Sequence, residues 1–126
     1  MRPHDLLPTL ESFPVFNREH GLKNFGYNLL LLREMVQAMV AEIPHETKDF
    51  HHAYTQKNWQ RIEEIAHKMK GVTGYIGLIK LQYACQYLEY YCQKGGALSI
   101  LEHCYRQLIQ TCDATQKVLQ AWLDKS

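Results

Sequence analysis

The chain has 126 residues, enough to bury one core and too few for two ordinary domains, so 1–126 reads as a single domain. Hydrophobic residues at 46% and charged residues at 21% exclude a disordered or fibrous chain. A formal charge of +1 from interleaved acidic and basic residues leaves no footprint for nucleic acid or anionic lipid, and no apolar run longer than Leu29 to Leu32 argues for insertion into a membrane.

The opening residues, Met1-Arg2-Pro3-His4-Asp5, lack the apolar stretch and cleavage site of a secretory signal, so a cytoplasmic location is expected. Residues 3–27 read as short pieces: Leu6-Leu7-Pro8, a turn of helix through Leu10 and Phe13, and a broken stretch around Gly21 and Gly26. This N-terminal segment, 1–27, is expected to cap the body of the protein. From Asn28 to Lys57, Leu32, Val36, Met39, Ile43, Thr47, Phe50 and Tyr54 recur in steps of three and four, which predicts a long amphipathic helix kinked near Pro44. Asn58 suits the N-cap of the next helix, whose stripe is Trp59, Ile62, Ala66, Met69, Thr73 and Ile76. A further helix carries Leu81, Cys85, Leu88 and Cys92 and stops at Gly95-Gly96. The last, from Ala97 to Leu123, carries Leu101, Tyr105, Leu108, Cys112, Thr115, Leu119 and Trp122. Four amphipathic helices over 28–126 with short connections predict an all-α fold, an antiparallel four-helix bundle. The four cysteines, Cys85, Cys92, Cys104 and Cys112, contain no C-x-x-C pair and read as reduced, packed apolar groups.

Such bundles host many functions, so single residues must decide between them. At about 100° per residue, His67 lies roughly 150° from the centre of its helix's apolar stripe and therefore faces outward. Gly71 and Gly74 follow at i+4 and i+7, predicting a face bare of side chains over the next two turns. Each glycine inside a helix costs about 1 kcal/mol relative to alanine, and an exposed face has no packing reason to accept that cost. A surface kept clear for a docking partner explains it. Lys70 at i+3 and Lys68 add positive charge that suits an anion. An imidazole is largely uncharged near neutral pH, and its free nitrogen is a competent nucleophile toward phosphorus.

The segment Ala66-His67-Lys68-Met69-Lys70-Gly71-Val72-Thr73-Gly74-Tyr75-Ile76-Gly77 resembles the signature of the histidine-containing phosphotransfer (HPt) family. The similarity extends through Leu78, Leu81, Cys85 and Leu88-Glu89, and with Ala121-Trp122-Leu123 it is most like the C-terminal domain of aerobic-respiration-control type hybrid sensor kinases. The resemblance implies that His67 is the phosphoacceptor, Lys70 the phosphoryl-side cation and Gly71 the clearance for an approaching receiver domain. Lys68 and Gly74 would belong to the same docking face. Glu89, which is 22 positions after His67, would accept a hydrogen bond from the imidazole and orient it, where other members carry glutamine. The partners implied are receiver domains of response regulators or hybrid sensor kinases. The protein would be a phosphoryl carrier rather than an enzyme, acting as a monomer without cofactor or metal, with Mg²⁺ supplied by the receiver.

Two other readings compete. Glu42-x-x-His45 and Glu64-x-x-His67 have the spacing of di-metal carboxylate bundles, although Glu64 and His67 lie opposite the apolar stripe. A helical adaptor without phosphoryl chemistry is the other. The remaining histidines, His4, His20, His45, His51, His52 and His103, lack comparable settings and read as surface residues.

Overall fold

Asparagine side chains start three of the five helices in the computed structural model, which describes residues 9–125. Asn17 precedes α1 (Arg18–Asn24), Asn28 precedes α2 (Leu29–Thr55) and Asn58 precedes α3 (Trp59–Ile76). Each side chain accepts the backbone N–H three residues ahead at 3.0 Å, satisfying a donor that the helix itself leaves unpaired. α4 (Ile79–Gln93) and α5 (Leu98–Lys125) follow, with no strand among the described residues. α4 ends as expected at the glycine pair: Gly95 takes a left-handed φ of 66°, and the Gly96 N–H donates to the Tyr91 carbonyl at 3.0 Å.

α2 packs on α3 and α5, and α4 packs on the same two helices, which closes an antiparallel four-helix bundle. Its core takes Leu32, Val36, Ile43 and Phe50 from α2, Ile62, Ala66 and Ile76 from α3, Leu81, Cys85 and Leu88 from α4, and Leu108, Cys112 and Leu119 from α5. The α2 stripe departs from expectation at one position: Glu46 is buried, while Thr47 and Tyr54 are only half covered. Pro44 lies inside α2 without ending it. Proline has no N–H for the carbonyl of Val40, and the side-chain amide of Gln116 on α5 donates to that carbonyl instead, at 3.2 Å. A bond lost within one helix is thus replaced from its neighbour.

The four cysteines are free. Burial pushes the thiols of Cys92 and Cys112 up to about 12 and that of Cys104 up to about 11, and it raises Cys85 well above the ordinary range. Thiolate chemistry at neutral pH is correspondingly suppressed.

The described residues before α2 pack against α3, α4 and α5. Leu6-Leu7-Pro8 and His4 lie outside the described residues, and the stretch through Leu10 and Phe13 is a turn closed by the Phe13 N–H on the Leu10 carbonyl. Phe13 stacks on Tyr83 of α4, and Phe16 meets Trp122 of α5 edge-on. Across the α1–α3 junction the Tyr75 hydroxyl donates to the Asn24 carbonyl at 2.7 Å, and the Asn24 side chain donates back to the Tyr75 carbonyl at 2.9 Å. Tyr75 therefore anchors the cap.

The junction is also tight at Gly77, which ends α3 in a left-handed conformation with φ 99° and accepts the Asn17 N–H at 2.7 Å. A Cβ there would collide with the Asn17 carbonyl oxygen. Gly26 has a similar φ of 64° but open space around it, so the two positions separate backbone strain from collision. Gly26→Ala is expected to cost about 1 kcal/mol and Gly77→Ala roughly 2–4 kcal/mol, read from urea unfolding midpoints. Equal costs would mean that the cap does not depend on this close approach.

Candidate functional site

The chemistry-bearing residues collect on the outer face of α3 where α4 lies against it. Ile62, Ile65, Ala66, Met69 and Thr73 turn one side of α3 into the core, which leaves His67 on the other with its side chain 70% exposed. α4 likewise buries Leu81, Cys85 and Leu88 and so carries Glu89 to the seam between the helices, with its side chain 10% exposed. The imidazole Nδ1 lies 2.9 Å from Glu89 Oε2, and the Lys70 ammonium donates to Glu89 Oε1 at 3.0 Å. One carboxylate thus holds a histidine with one oxygen and a lysine with the other.

Burial raises the proton affinity of Glu89, but the hydrogen bonds and charges of Lys70 and His67 outweigh it and hold the carboxyl below its ordinary range. A carboxylate accepts only, so Nδ1 carries a proton in this contact, and in the neutral form of the ring the lone pair lies on Nε2. The arrangement can direct a nucleophilic nitrogen outward. Lys70 lies beside His67 as its spacing predicts, yet it is engaged by Glu89 rather than waiting free for an anion.

Gly71, one turn beyond His67, is exposed, and a Cβ built there meets nothing within 4 Å. The expectation of a bare face over two turns is corrected at Gly74. That glycine is buried, and the Gln82 side chain of α4 lies over it, 2.6 Å from where a Cβ would stand. Gly74 lets α4 approach α3, whereas Gly71 leaves the surface open. Lys68 points the other way around α3, to Glu46 of α2 at 3.4 Å. Glu46, with its side chain 6% exposed, is the residue that sequence reasoning missed. It falls three after Ile43 and four before Phe50, on the stripe itself, and only its carboxylate character argued against burial.

The di-metal spacing does not become a site. Glu64 pairs with Arg61 at 3.4 Å on the surface, Glu42 and His45 are exposed on α2, and among the described residues no three of His, Cys, Asp or Glu gather as a metal-ligand group. His20, His51, His52 and His103 are exposed as well. A groove of 620 Å³ between α2 and α5 around Pro44, Tyr105 and Ile109 includes neither His67 nor Glu89. Another, of 310 Å³ between α2 and α3, includes Lys68 and Glu46. No helix among the described residues is long and apolar enough to cross a membrane.

An exposed histidine, its Nδ1 held by a carboxylate from the next helix, in a four-helix bundle, is the arrangement that the sequence signature implies. A family model for the Hpt domain matches residues 34–121, which span α3, α4 and nearly all of α2 and α5. The chain belongs to the Hpt domain family. Its fold is shared with the HPT domain from the Hpt sensor hybrid histidine kinase from Shewanella, at a TM-score of 0.80 and 18% sequence identity, over 89% of this chain and 96% of that one. A search of curated proteins returned no matching sequence. Hpt domains are phosphoryl carriers of two-component signalling and interact with receiver domains in phosphorelays.

Proposed function

We propose that this Hpt domain accepts a phosphoryl group on His67 Nε2 from a receiver-domain aspartate and passes it to another receiver. The observation that carries the reading is the 2.9 Å contact of Nδ1 with Glu89 on an imidazole whose other nitrogen is open to solvent. In the transfer, the Nε2 lone pair attacks phosphorus, the bond from phosphorus to the aspartyl oxygen breaks, and the aspartate leaves as a carboxylate. The proton stays on Nδ1, so the ring becomes positively charged as the N–P bond forms. Glu89 faces that charge. Lys70 neutralises the carboxylate in the resting state and lies one turn from the incoming phosphoryl oxygens.

Little else is asked of the domain, because phosphoryl transfer depends mainly on alignment and charge neutralisation. In this reading the receiver brings its acidic pocket and Mg²⁺, and the carrier works as a monomer in the cytoplasm. The test is to mix the purified chain with phosphorylated receiver domains and follow acid-labile phosphate onto His67. Failure to acquire label from any receiver would leave the adaptor reading in its place.

Gly71 supplies a second prediction. Open space around it means that Gly71→Gln should fold at least as well as wild type, with a gain of up to about 1 kcal/mol from helix propensity. The same side chain would stand between α3 and a docked receiver and slow transfer roughly tenfold or more. Unchanged stopped-flow transfer kinetics in Gly71→Gln would place the docking face elsewhere.

A further inference from the structure

The groove between α2 and α3 runs beside the His67 face. Its 310 Å³ are lined by Met39, Glu42, Glu46, Lys68, Met69 and Val72. Two features distinguish it from an ordinary seam between helices. Its floor is apolar and adaptable: two methionines, whose flexible thioethers fit side chains of varied shape, and Val72, which is 40% exposed. Its charged end is unbalanced. Glu42 and Glu46 stand one turn apart on α2, at i and i+4, and a single ammonium, that of Lys68, reaches Glu46 at 3.4 Å.

The cation that meets Glu46 is itself largely in solvent, with its side chain 75% exposed. Burial pushes the Glu46 carboxyl up from its ordinary value, Glu42 adds to the rise, and Lys68 offsets it only in part. A second positive charge from outside would complement the Glu42 and Glu46 carboxyls, which have one ammonium between them in the lining of the groove. Lys68 follows His67 in sequence, and Val72 follows Gly71, so a partner covering the imidazole and the bare surface at Gly71 also covers the groove.

Resting on the phosphotransfer reading above, we propose that this groove selects among receivers: it takes a surface helix of the receiver that presents an apolar side chain with an arginine or lysine one turn away. The apolar side chain sits over Met39, Met69 and Val72, and the basic group joins Glu42 and Glu46. His67 and Glu89 perform the transfer; the groove decides which receiver is held long enough for it. Long-range attraction between the acidic end and a basic helix also raises the encounter rate at low salt.

The test uses the full chain and a phosphorylated receiver domain that labels it, with the half-saturating receiver concentration and the limiting transfer rate measured separately. Glu42 and Val72 are exposed, so Glu42→Lys and Val72→Asp should keep the wild-type helical signal. Both are expected to raise the half-saturating concentration about tenfold at low salt and to leave the limiting rate within about twofold, and high salt should shrink the Glu42→Lys effect. Asp113→Lys on α5 should change neither quantity. Replacing the receiver's basic residue with glutamate should restore tight docking to Glu42→Lys and weaken it with wild type. If both groove variants dock like wild type, the proposal is overturned while the role of His67 stands. A wild-type dimer that Glu42→Lys dissociates, with receiver docking unchanged, would also overturn it, by making a second copy the occupant. If wild type takes no label from any receiver, the phosphotransfer reading itself fails.

Discussion

His67→Gln is expected to abolish phosphoryl acceptance, a loss to background, while the melting temperature stays within about 3 °C of wild type. The two outcomes separate because His67 lies outside the core: its side chain is 70% exposed, and its hydrogen-bond partner is the Glu89 carboxylate, which keeps Lys70 when the imidazole is gone. The glutamine amide can still donate to Glu89, so no buried acceptor is left unpaired. What it cannot supply is a nucleophilic nitrogen, since the amide lone pair is delocalised into the carbonyl. Acid-labile labelling and thermal melts on the same preparation check both halves. Label retained by His67→Gln would place the phosphoacceptor on another residue.

The second large effect is expected at Glu89. Glu89→Ala removes at once the acceptor of the Nδ1 proton and the partner of the Lys70 ammonium, which lie on opposite oxygens of one carboxylate. With no acceptor at Nδ1, the imidazole redistributes its proton to Nε2 and loses the fixed ring orientation. Acceptance should slow by roughly 10- to 100-fold, the range lost when a histidine's orienting partner is removed elsewhere. Glu89→Gln should be much milder, within several-fold of wild type, because its carbonyl oxygen can still accept from Nδ1–H while its NH₂ group turns away the ammonium.

The pH dependence of stability gives an independent reading of the same network. The folded protein holds Glu89 below the ordinary carboxyl range, so its contribution is present above about 4.5 and is lost as the pH falls through the lowered folded value. Glu46 has the opposite sign. Its raised carboxyl favours folding most fully at acid pH, and that advantage disappears as the pH rises through its folded value. Glu89→Ala should therefore be less sensitive than wild type to acid below pH 4.5 in denaturant melts, and Glu46→Gln should gain relative stability toward neutral pH. Identical pH profiles for wild type and Glu89→Ala would show that the His67–Glu89–Lys70 contact contributes nothing to the fold.

Much of this protein is written in local sequence. Apolar residues at steps of three and four define α2 to α5, Asn58 and the Gly95-Gly96 pair mark helix ends, and the outward position of His67 follows from 100° per residue alone. These features depend on chemistry within one or two helical turns, which a linear reading samples directly. The roles of Gly71 and Gly74 could not be separated that way, because the two lie on one face of α3 and differ only in whether α4 reaches them. The side chain of Gln82 closes over one and leaves the other open.

The same limit explains Glu46 and Lys70. Periodicity places Glu46 on the buried stripe, but only the approach of α3 supplies the Lys68 ammonium that faces it there. Spacing puts Lys70 beside His67, but only α4 supplies the carboxylate that engages both. Gln116 on the Val40 carbonyl is a third case, joining residues 76 positions apart to mend the bond that Pro44 removes. The sequence by itself determined the helices, their apolar faces and the exposed histidine, because each is set by the turn it belongs to. The tertiary structure decided which oxygen holds which cation and which glycine stays bare, because those depend on the relative rotation and offset of neighbouring helices, which no single helix encodes.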